Sequence, residues 1–301
     1  MNRESKVWLN GEIIPEREAT VPLSSHAVSR ASAIFEIFGV HVGPEGPMAF
    51  RMDEHLKRLT RSADALEMVA RYSTAEIAEA VRATVGVNRL GRGLVKIMAY
   101  WGSEPATELV PESNLDVAVF AIPDDEEIHL DSSEPITACL SKWRKIHPET
   151  VPVGAKACAN YLNGYLARKD AINRGFDVGI MLSTDGFLAE GSRESVFIVK
   201  DGILRVPPLE SALSSITRMS ILQAAPKFGL IFEERAITPA ELIEADEMFT
   251  SSTSAKVVPI IRFEDRVLQA PGHLTQQIAS MMDDITHFND ARFSEWFQPL
   301  T

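Results

Sequence analysis

Three residues near the middle of the chain have the types that chemistry on an aldehyde cofactor requires. Lys156 follows an extended Val-Pro-Val-Gly run, and its amine can form a Schiff base with an aldehyde. Tyr161 lies in the same stretch, and a phenol can hydrogen-bond an oxygen on a cofactor ring. Glu190 lies in the short turn AEGS, where a carboxylate can keep a pyridine nitrogen protonated and make the ring an electron sink. Together they predict a site for pyridoxal phosphate (PLP), with Lys156 as the catalytic residue.

Each of these residues also has a simpler explanation. Most lysines are exposed, a tyrosine can pack in a core with its hydroxyl at the surface, and a turn carboxylate is commonly solvated. The apolar neighbours of Lys156 and the downstream pair Asn160-Tyr161 favour the cofactor interpretation. Asn160 could serve only as a cap for the helix that follows it.

Four motifs extend the pattern over much of the chain. They are AKACANYL, AEGSRESVF, SSITR at 214–218 and EMFTSSTSA at 247–255. In this order they resemble the class IV (fold type IV) PLP-dependent aminotransferases, and most of all the branched-chain amino acid aminotransferases. The resemblance runs from WLNGEIIP to VVPIIRFEDRVL. It implies an α/β (α+β) two-domain fold with the cofactor in the interdomain cleft, and it implies a homodimer.

The phosphate of such a cofactor needs N–H donors and positive charge. Ser215-Ile216-Thr217 stands at a predicted helix start, where backbone N–H groups suit an anion. Arg58, in EHLKRL, resembles the phosphate arginine of the family, although Lys57, Arg58 and Arg61 could equally form the solvated face of an amphipathic helix. The predicted cofactor-binding residues are Arg58, Lys156, Tyr161, Glu190, Ile216, Thr217, Ser252 and Thr253.

The substrate-binding residues depart from the family pattern. Branched-chain aminotransferases usually carry Tyr-x-Arg on the strand that here reads Leu94-Val95-Lys96-Ile97, and an arginine soon after Phe-Glu-Gly that is missing here. Lys96 could supply the charge of that arginine but cannot form a bidentate fork. Arg193 could pair with Glu194 or reach the phosphate. The predicted substrate residues are Phe35, Phe38, Lys96, Ser254 and Ala255, with core packing as the alternative for the two phenylalanines.

The resemblance implies a ping-pong transamination between small-molecule amino acid and keto acid substrates. Branched-chain or other apolar L-amino acids are the expected donors, and 2-oxoglutarate is the expected acceptor. Three alternatives remain open: a D-amino acid or (R)-amine transaminase, a lyase of the aminodeoxychorismate type, and a non-catalytic binding protein on the same scaffold.

Turn residues and apolar periodicity position these side chains in alternating strands and helices. Asn10-Gly11, Asp185-Gly186 and Asp201-Gly202 predict hairpins. Helices are expected over 25–34, over 54–67 with Asp53 as its cap, over 73–88 with a Ser73–Glu76 capping box, and over 161–174, 215–228, 239–245 and 274–289. The acidic stretch 123–131 is interpreted as a linker between a small domain, 1–122, and a PLP-binding domain, 132–301; an exposed loop within one domain is the alternative.

The bulk composition excludes several classes of function. The net charge of −12 argues against binding to nucleic acid or to an anionic membrane surface. No apolar run approaches the length of a membrane span, and the start of the chain lacks an apolar signal core. Two cysteines make a disulfide framework improbable and favour the cytoplasm. The histidines are too scattered to predict a metal site.

Overall fold

The computed structural model describes residues 5–103, 107–124, 130–131 and 134–301. Strands and helices alternate along this part of the chain. The strands are β1 Lys6–Leu9, β2 Glu12–Pro15, β3 Ala33–Gly43, β4 Gly46–Phe50, β5 Gly93–Tyr100, β6 Asp116–Pro123, β7 Ile136–Leu140, β8 Val178–Leu182, β9 Leu188–Glu190, β10 Ser195–Lys200, β11 Ile203–Val206, β12 Phe232–Glu234, β13 Glu247–Ser251, β14 Val258–Phe263, β15 Arg266–Val267 and β16 Phe297–Pro299. The helices are α1 His26–Arg30, α2 Met52–Ala65, α3 Thr74–Asn88, α4 Tyr161–Asn173, α5 Ile216–Ala224, α6 Pro239–Glu244 and α7 His273–Thr286. None of the helices described has the length and apolar character needed to cross a membrane.

The chain divides into two compact units. Unit 1 consists of Met1–Leu130, Ala155–Ala159 and Thr286–Thr301, and unit 2 consists of Asp131–Gly154 and Asn160–Ile285. The predicted linker includes 125–129, and 132–133 open the predicted second domain; both stretches lie outside the described residues. The predicted domain limits therefore stay a prediction. Unit 1 therefore includes two short segments that are distant in sequence from Met1–Leu130. One of them, Ala155–Ala159, contains Lys156.

Unit 1 contains an antiparallel sheet in the order β16-β4-β3-β5-β6-β1-β2. Successive side chains of a strand point to opposite faces, so β3 presents two different surfaces. Ile34, Phe38 and Val40 are buried on the face covered by α2 and α3, where they share a hydrophobic core with Leu56. Phe35 and Ile37 lie on the other face, opposite Met98 and Lys96 of β5.

Two helix predictions in unit 1 need correction. The helix expected over 25–34 is limited to α1, because Ala31 adopts a left-handed conformation (φ 54°) and the chain pairs with β5 from Ala33 onward. Asp53 does not cap α2; the helix begins at Met52, and Arg51 before it has φ 55° and makes no side-chain cap hydrogen bond. The capping box of α3 is confirmed.

Unit 2 contains a mixed sheet in the order β12-β11-β10-β13-β14-β7-β8-β9, with β15 paired to β14. The pairs β7–β8, β7–β14 and β11–β12 are parallel. The three predicted hairpins are confirmed as β1–β2, β8–β9 and β10–β11. The helix expected over 215–228 is α5, continued as a 3-10 helix through Pro226 and closed by Gly229 at φ 72°. Residues 230–236 contain only the short β12.

Helix α4 makes a very close backbone approach to the turn that follows β9. A Cβ atom on Gly164 would collide with the carbonyl oxygen of Ser192, in the turn that follows β9. Only glycine fits there, so the contact fixes the register of α4, which begins at Tyr161, against the segment that follows Glu190.

Candidate functional site

Lys156 is held at the edge of β3 in unit 1. Its carbonyl oxygen accepts from the Phe35 N–H at 3.0 Å, and its own N–H donates to Ser62 Oγ at 3.0 Å. Ala157 bridges to Ile34. The Lys156 residue is only 7% exposed, and its ammonium lies 4.6 Å from the centroid of the Phe35 ring. Lys156 is therefore not an ordinary surface lysine, which was its alternative interpretation from the sequence.

Lys96 shares this side of the sheet. It lies opposite Ile37 across the β3–β5 pair, and its ammonium is 5.6 Å from the Phe35 ring centroid. Two ammonium groups therefore lie near one aromatic ring. The surface that carries Phe35 and Lys96 is apolar with positive charge above it, which suits an acidic ligand with an apolar part.

Phe38, predicted to line the same pocket as Phe35, lies on the opposite face of β3. Its side chain is fully buried in the core, with its ring centroid 5.3 Å from that of His55. The separation follows from strand alternation, because residues three apart point to opposite faces. The structure therefore gives Phe38 the core-packing role that was its alternative.

Arg58 is buried in a network with two residues that the sequence analysis did not single out. Its Nε and Nη2 both donate to the Glu36 carboxylate at 2.7 Å, and His55 Nδ1 lies 2.6 Å from Glu36 Oε2. Lys57 and Arg61 are exposed, whereas Arg58 is only 3% exposed, so Arg58 is not part of a solvated helix face. The bidentate pair orients the guanidinium.

The charges in this network are fixed by burial and by its hydrogen bonds. Burial alone would raise the pKa of Glu36, but the charge of Arg58 and the hydrogen bonds from Arg58 and His55 lower it to about 2. Burial lowers the pKa of His55 to about 4; the hydrogen bond to Glu36 opposes this shift, and the charges of Arg58 and Lys156 add to it. At neutral pH His55 is therefore uncharged, and its Nδ1–H donates to an ionised Glu36.

Glu190 and Tyr161 lie in unit 2. Glu190 ends β9, is partly buried, and forms an ion pair through Oε1 with the Nζ of Lys145. Lys145, 45 residues away, was not anticipated from the sequence. Tyr161 is partly buried as the first residue of α4, and Asn160 makes no side-chain cap hydrogen bond there.

The N-terminus of α5 has the features expected of an anion site. Ser215 is its N-cap and accepts from the Arg218 N–H, which places the N–H groups of Ile216 and Thr217 in the first turn. First-turn N–H groups lack intrahelical acceptors and carry the positive end of the helix dipole. Ile216 and Thr217 are each 3% exposed.

The turn at 252–255 is braced by a buried ion pair. Ser252 N–H donates to the Ala255 carbonyl at 2.9 Å. Lys256, 6% exposed, donates from Nζ to the Thr253 carbonyl at 2.6 Å and pairs with Asp131 at 3.3 Å. The Asp131 N–H donates to the Ser254 carbonyl at 2.7 Å. With these carbonyl oxygens engaged, the turn has a fixed conformation beside a buried cation.

Arg193 pairs with its neighbour Glu194, which was one of the two roles considered for it from the sequence. Its N–H and its guanidinium both donate to the Glu194 carboxylate, at 2.9 and 3.3 Å, and its side chain is 66% exposed.

These residues match the chemical groups of PLP. Taken one by one, a buried lysine suits the aldehyde, a carboxylate such as that of Glu190 suits the ring nitrogen, and either the N–H groups of a capped helix start or a guanidinium suits the phosphate. Within the described residues, no group of three or more His, Cys, Asp or Glu side chains could hold a metal ion.

Comparison with known proteins assigns the family. The model of the amino-transferase class IV family matches residues 33–263. The branched-chain-amino-acid aminotransferase of Pseudomonas aeruginosa is 31% identical over 300 residues, covering 98% of this chain and 97% of that protein.

Two solved structures match nearly the whole fold. The branched-chain aminotransferase from Thermoproteus uzoniensis, crystallised with norvaline, has a TM-score of 0.94 at 34% identity and covers 99% of both chains. The branched-chain amino acid aminotransferase from Thermobaculum terrenum in its PLP form has a TM-score of 0.90 at 30% identity and covers 100% of both. The fold type IV prediction is thereby confirmed. The chain belongs to the class IV aminotransferases, and it is a PLP-dependent transferase.

Proposed function

We propose that this chain transfers the amino group of a branched-chain or other apolar L-amino acid to a 2-keto acid such as 2-oxoglutarate. The observation that carries the proposal is the burial of Lys156 beside Phe35, in a chain that matches branched-chain aminotransferases over nearly its full length. When bound, PLP supplies an aldehyde that condenses with amines and a ring that accepts electrons.

The chain's own residues divide the remaining work. Lys156 would hold the cofactor through its amine, and the same amine would carry a proton to and from the substrate α-carbon. Glu190 accepts from the ring nitrogen, and Tyr161 donates to the ring oxygen. The phosphate is bound by Arg58, Ile216, Thr217, Ser252 and Thr253. That residues of both units serve one cofactor is a prediction from the family resemblance.

Substrate recognition rests on different residues. Phe35 supplies an apolar surface for the donor side chain. The Lys96 ammonium lies beside that ring and would attract the second carboxylate of a dicarboxylic acceptor. Ser254 and Ala255, on the braced turn, would bind the α-carboxylate through their amides. Phe38 is left out because it lies in the core.

The first test is the absorption spectrum of the PLP-loaded protein, titrated with L-leucine, D-alanine, L-glutamate and an (R)-amine. We expect L-leucine to convert the cofactor to its amine form and 2-oxoglutarate to restore it. Conversion by D-alanine or by the (R)-amine alone would contradict the proposed substrate. Pyruvate release from aminodeoxychorismate without a keto acid would indicate a lyase instead.

The role of Lys156 is tested by substitution. Lys156→Ala should abolish turnover, whereas Lys142→Ala, at a position outside α4 whose side chain is 68% exposed, should leave it unchanged. A Lys156→Ala protein that transaminates at the wild-type rate would contradict the assignment.

The homodimer and the cytoplasmic location stay predictions. One helix supports the first of them, because Leu162, Tyr165 and Ile172 of α4 are all more than half exposed and fall on one side of the helix. Light scattering on the purified protein distinguishes a dimer from a monomer.

A further inference from the structure

Lys145 is a buried lysine with a defined partner. Its side chain is 8% exposed, and its ammonium forms an ion pair with Glu190 Oε1. A buried ammonium is costly unless it is paired, so this contact is the reason that the lysine can be accommodated. No role in cofactor binding follows for Lys145 from the sequence motifs.

The backbone around Lys145 is fixed from two directions. Its N–H donates to the Leu182 carbonyl of β8 at 2.9 Å. Asn163, on α4, accepts from the Ile146 N–H at 3.1 Å and donates to the Arg144 carbonyl at 3.0 Å. The residues on both sides of Lys145 are therefore tied to the helix that begins at Tyr161. This arrangement fixes the backbone from which the Lys145 side chain extends to Glu190.

The ion pair uses one oxygen of the carboxylate. In the described part of the chain, no residue donates a hydrogen bond to Glu190 Oε2. An ammonium that anchors Oε1 restricts rotation of the carboxylate, which leaves Oε2 in a constant place for a second donor.

We propose that Lys145 is a positioning residue for the cofactor ring: it anchors Glu190 so that the second carboxylate oxygen accepts from the protonated ring nitrogen. This inference rests on the proposed function, because it assumes that Glu190 meets the ring of PLP. The inference adds to the proposed function that Glu190 needs Lys145 to hold its carboxylate in one orientation.

The test compares PLP with deazapyridoxal phosphate, in which a C–H group replaces the ring nitrogen. Binding to the apoprotein is followed by quenching of tryptophan fluorescence. Lys145→Met should weaken PLP binding about tenfold, as expected for loss of an oriented hydrogen bond to a charged group, and should change the affinity for the analogue less than about twofold.

Two further variants act as controls. Lys145→Arg keeps the charge and should recover most of the affinity for PLP. Lys142→Met removes a lysine whose side chain is 68% exposed, three positions earlier, and should change neither affinity. If Lys145→Met does not fold by circular dichroism, Lys145→Ala, which also removes the donor to Oε1, carries the same comparison.

Equal losses for PLP and the analogue would overturn the inference, because they would mean that Lys145 only stabilises the fold. Unchanged binding of both would overturn it as well. A wild-type protein that binds neither compound would instead refute the proposed function, and the inference with it.

Discussion

His55 makes the stability of unit 1 depend on pH below the ordinary pKa of a histidine. The side chain is 2% exposed and lies between the Glu36 carboxylate and the Arg58 guanidinium. Burial lowers its pKa from 6.5 to about 4 in the folded protein. Below pH 6.5 the unfolded chain therefore binds a proton that the folded chain does not bind, and the free energy of unfolding falls as the pH falls.

The size of this effect follows from the two pKa values. Proton linkage gives a loss of about 2 kcal/mol in the free energy of unfolding between pH 7 and pH 5 from His55 alone. Glu36 does not contribute in this interval. Its pKa is lowered from 4.5 to about 2, so its stabilisation is fully present above pH 4.5 and is lost as the pH falls from there towards 2. The interval from pH 7 to pH 5 thus separates the contribution of His55 from that of Glu36.

Equilibrium urea unfolding of the apoprotein at pH 7, 6 and 5 measures the effect without proton linkage from cofactor binding. His55→Asn keeps a donor near the Nδ1 position but cannot be protonated, so it should lose about 2 kcal/mol less than wild type across this interval. His273→Asn, at an exposed position, should behave as wild type. If His55→Asn and wild type lose the same free energy, His55 is already protonated in the folded state, and the reasoning is refuted.

Two other predictions concern the turn at 252–255 and the packing of α4. Lys256→Met removes the hydrogen bond to the Thr253 carbonyl and should raise KM for the amino donor about tenfold in steady-state kinetics. Lys256→Arg should recover the wild-type KM. An unchanged KM in Lys256→Met would show that the turn does not depend on this hydrogen bond. Gly164→Ala should destabilise the protein by about 2 kcal/mol or more in thermal unfolding, because its Cβ meets the Ser192 carbonyl. Gly86→Ala is the matched helical control, because no atom lies near the Cβ that it would add. We expect this variant to gain up to about 1 kcal/mol in the free energy of unfolding. Equal losses of stability in both variants would show that the Gly164→Ala effect does not come from a collision with Ser192.

Local sequence signals predicted much of the fold. The hairpins at Asn10-Gly11 and Asp201-Gly202 and the Ser73 capping box depend on residues within four positions of one another, and the structure confirms them. The helix expected over 25–34 was too long because pairing of β3 with β5 outweighs local propensity from Ala33 onward. No local signal indicated β16, which is a strand only because it pairs with β4.

The candidate site was predictable in its residue types but not in its supporting contacts. Lys156, Tyr161 and Glu190 stand within motifs, whereas Lys145 is 45 residues from Glu190 and depends on the fold to reach it. Glu36 lies 22 residues from Arg58 in the same way. One feature was available from the sequence: strand alternation already separates Phe35 from Phe38.

The membership of Ala155–Ala159 and Thr286–Thr301 in unit 1 has a consequence for synthesis on the ribosome. The edge strand β16 pairs with β4, and the lysine segment pairs with the start of β3, so the sheet of unit 1 gains its β16 edge only from residues made after those of unit 2. Unit 2 is contained within 131–285 and can be complete earlier. A nascent chain stalled before residue 286 would therefore hold unit 2 whole while the β4 edge of unit 1 lacked its neighbour and remained open to pairing with other chains.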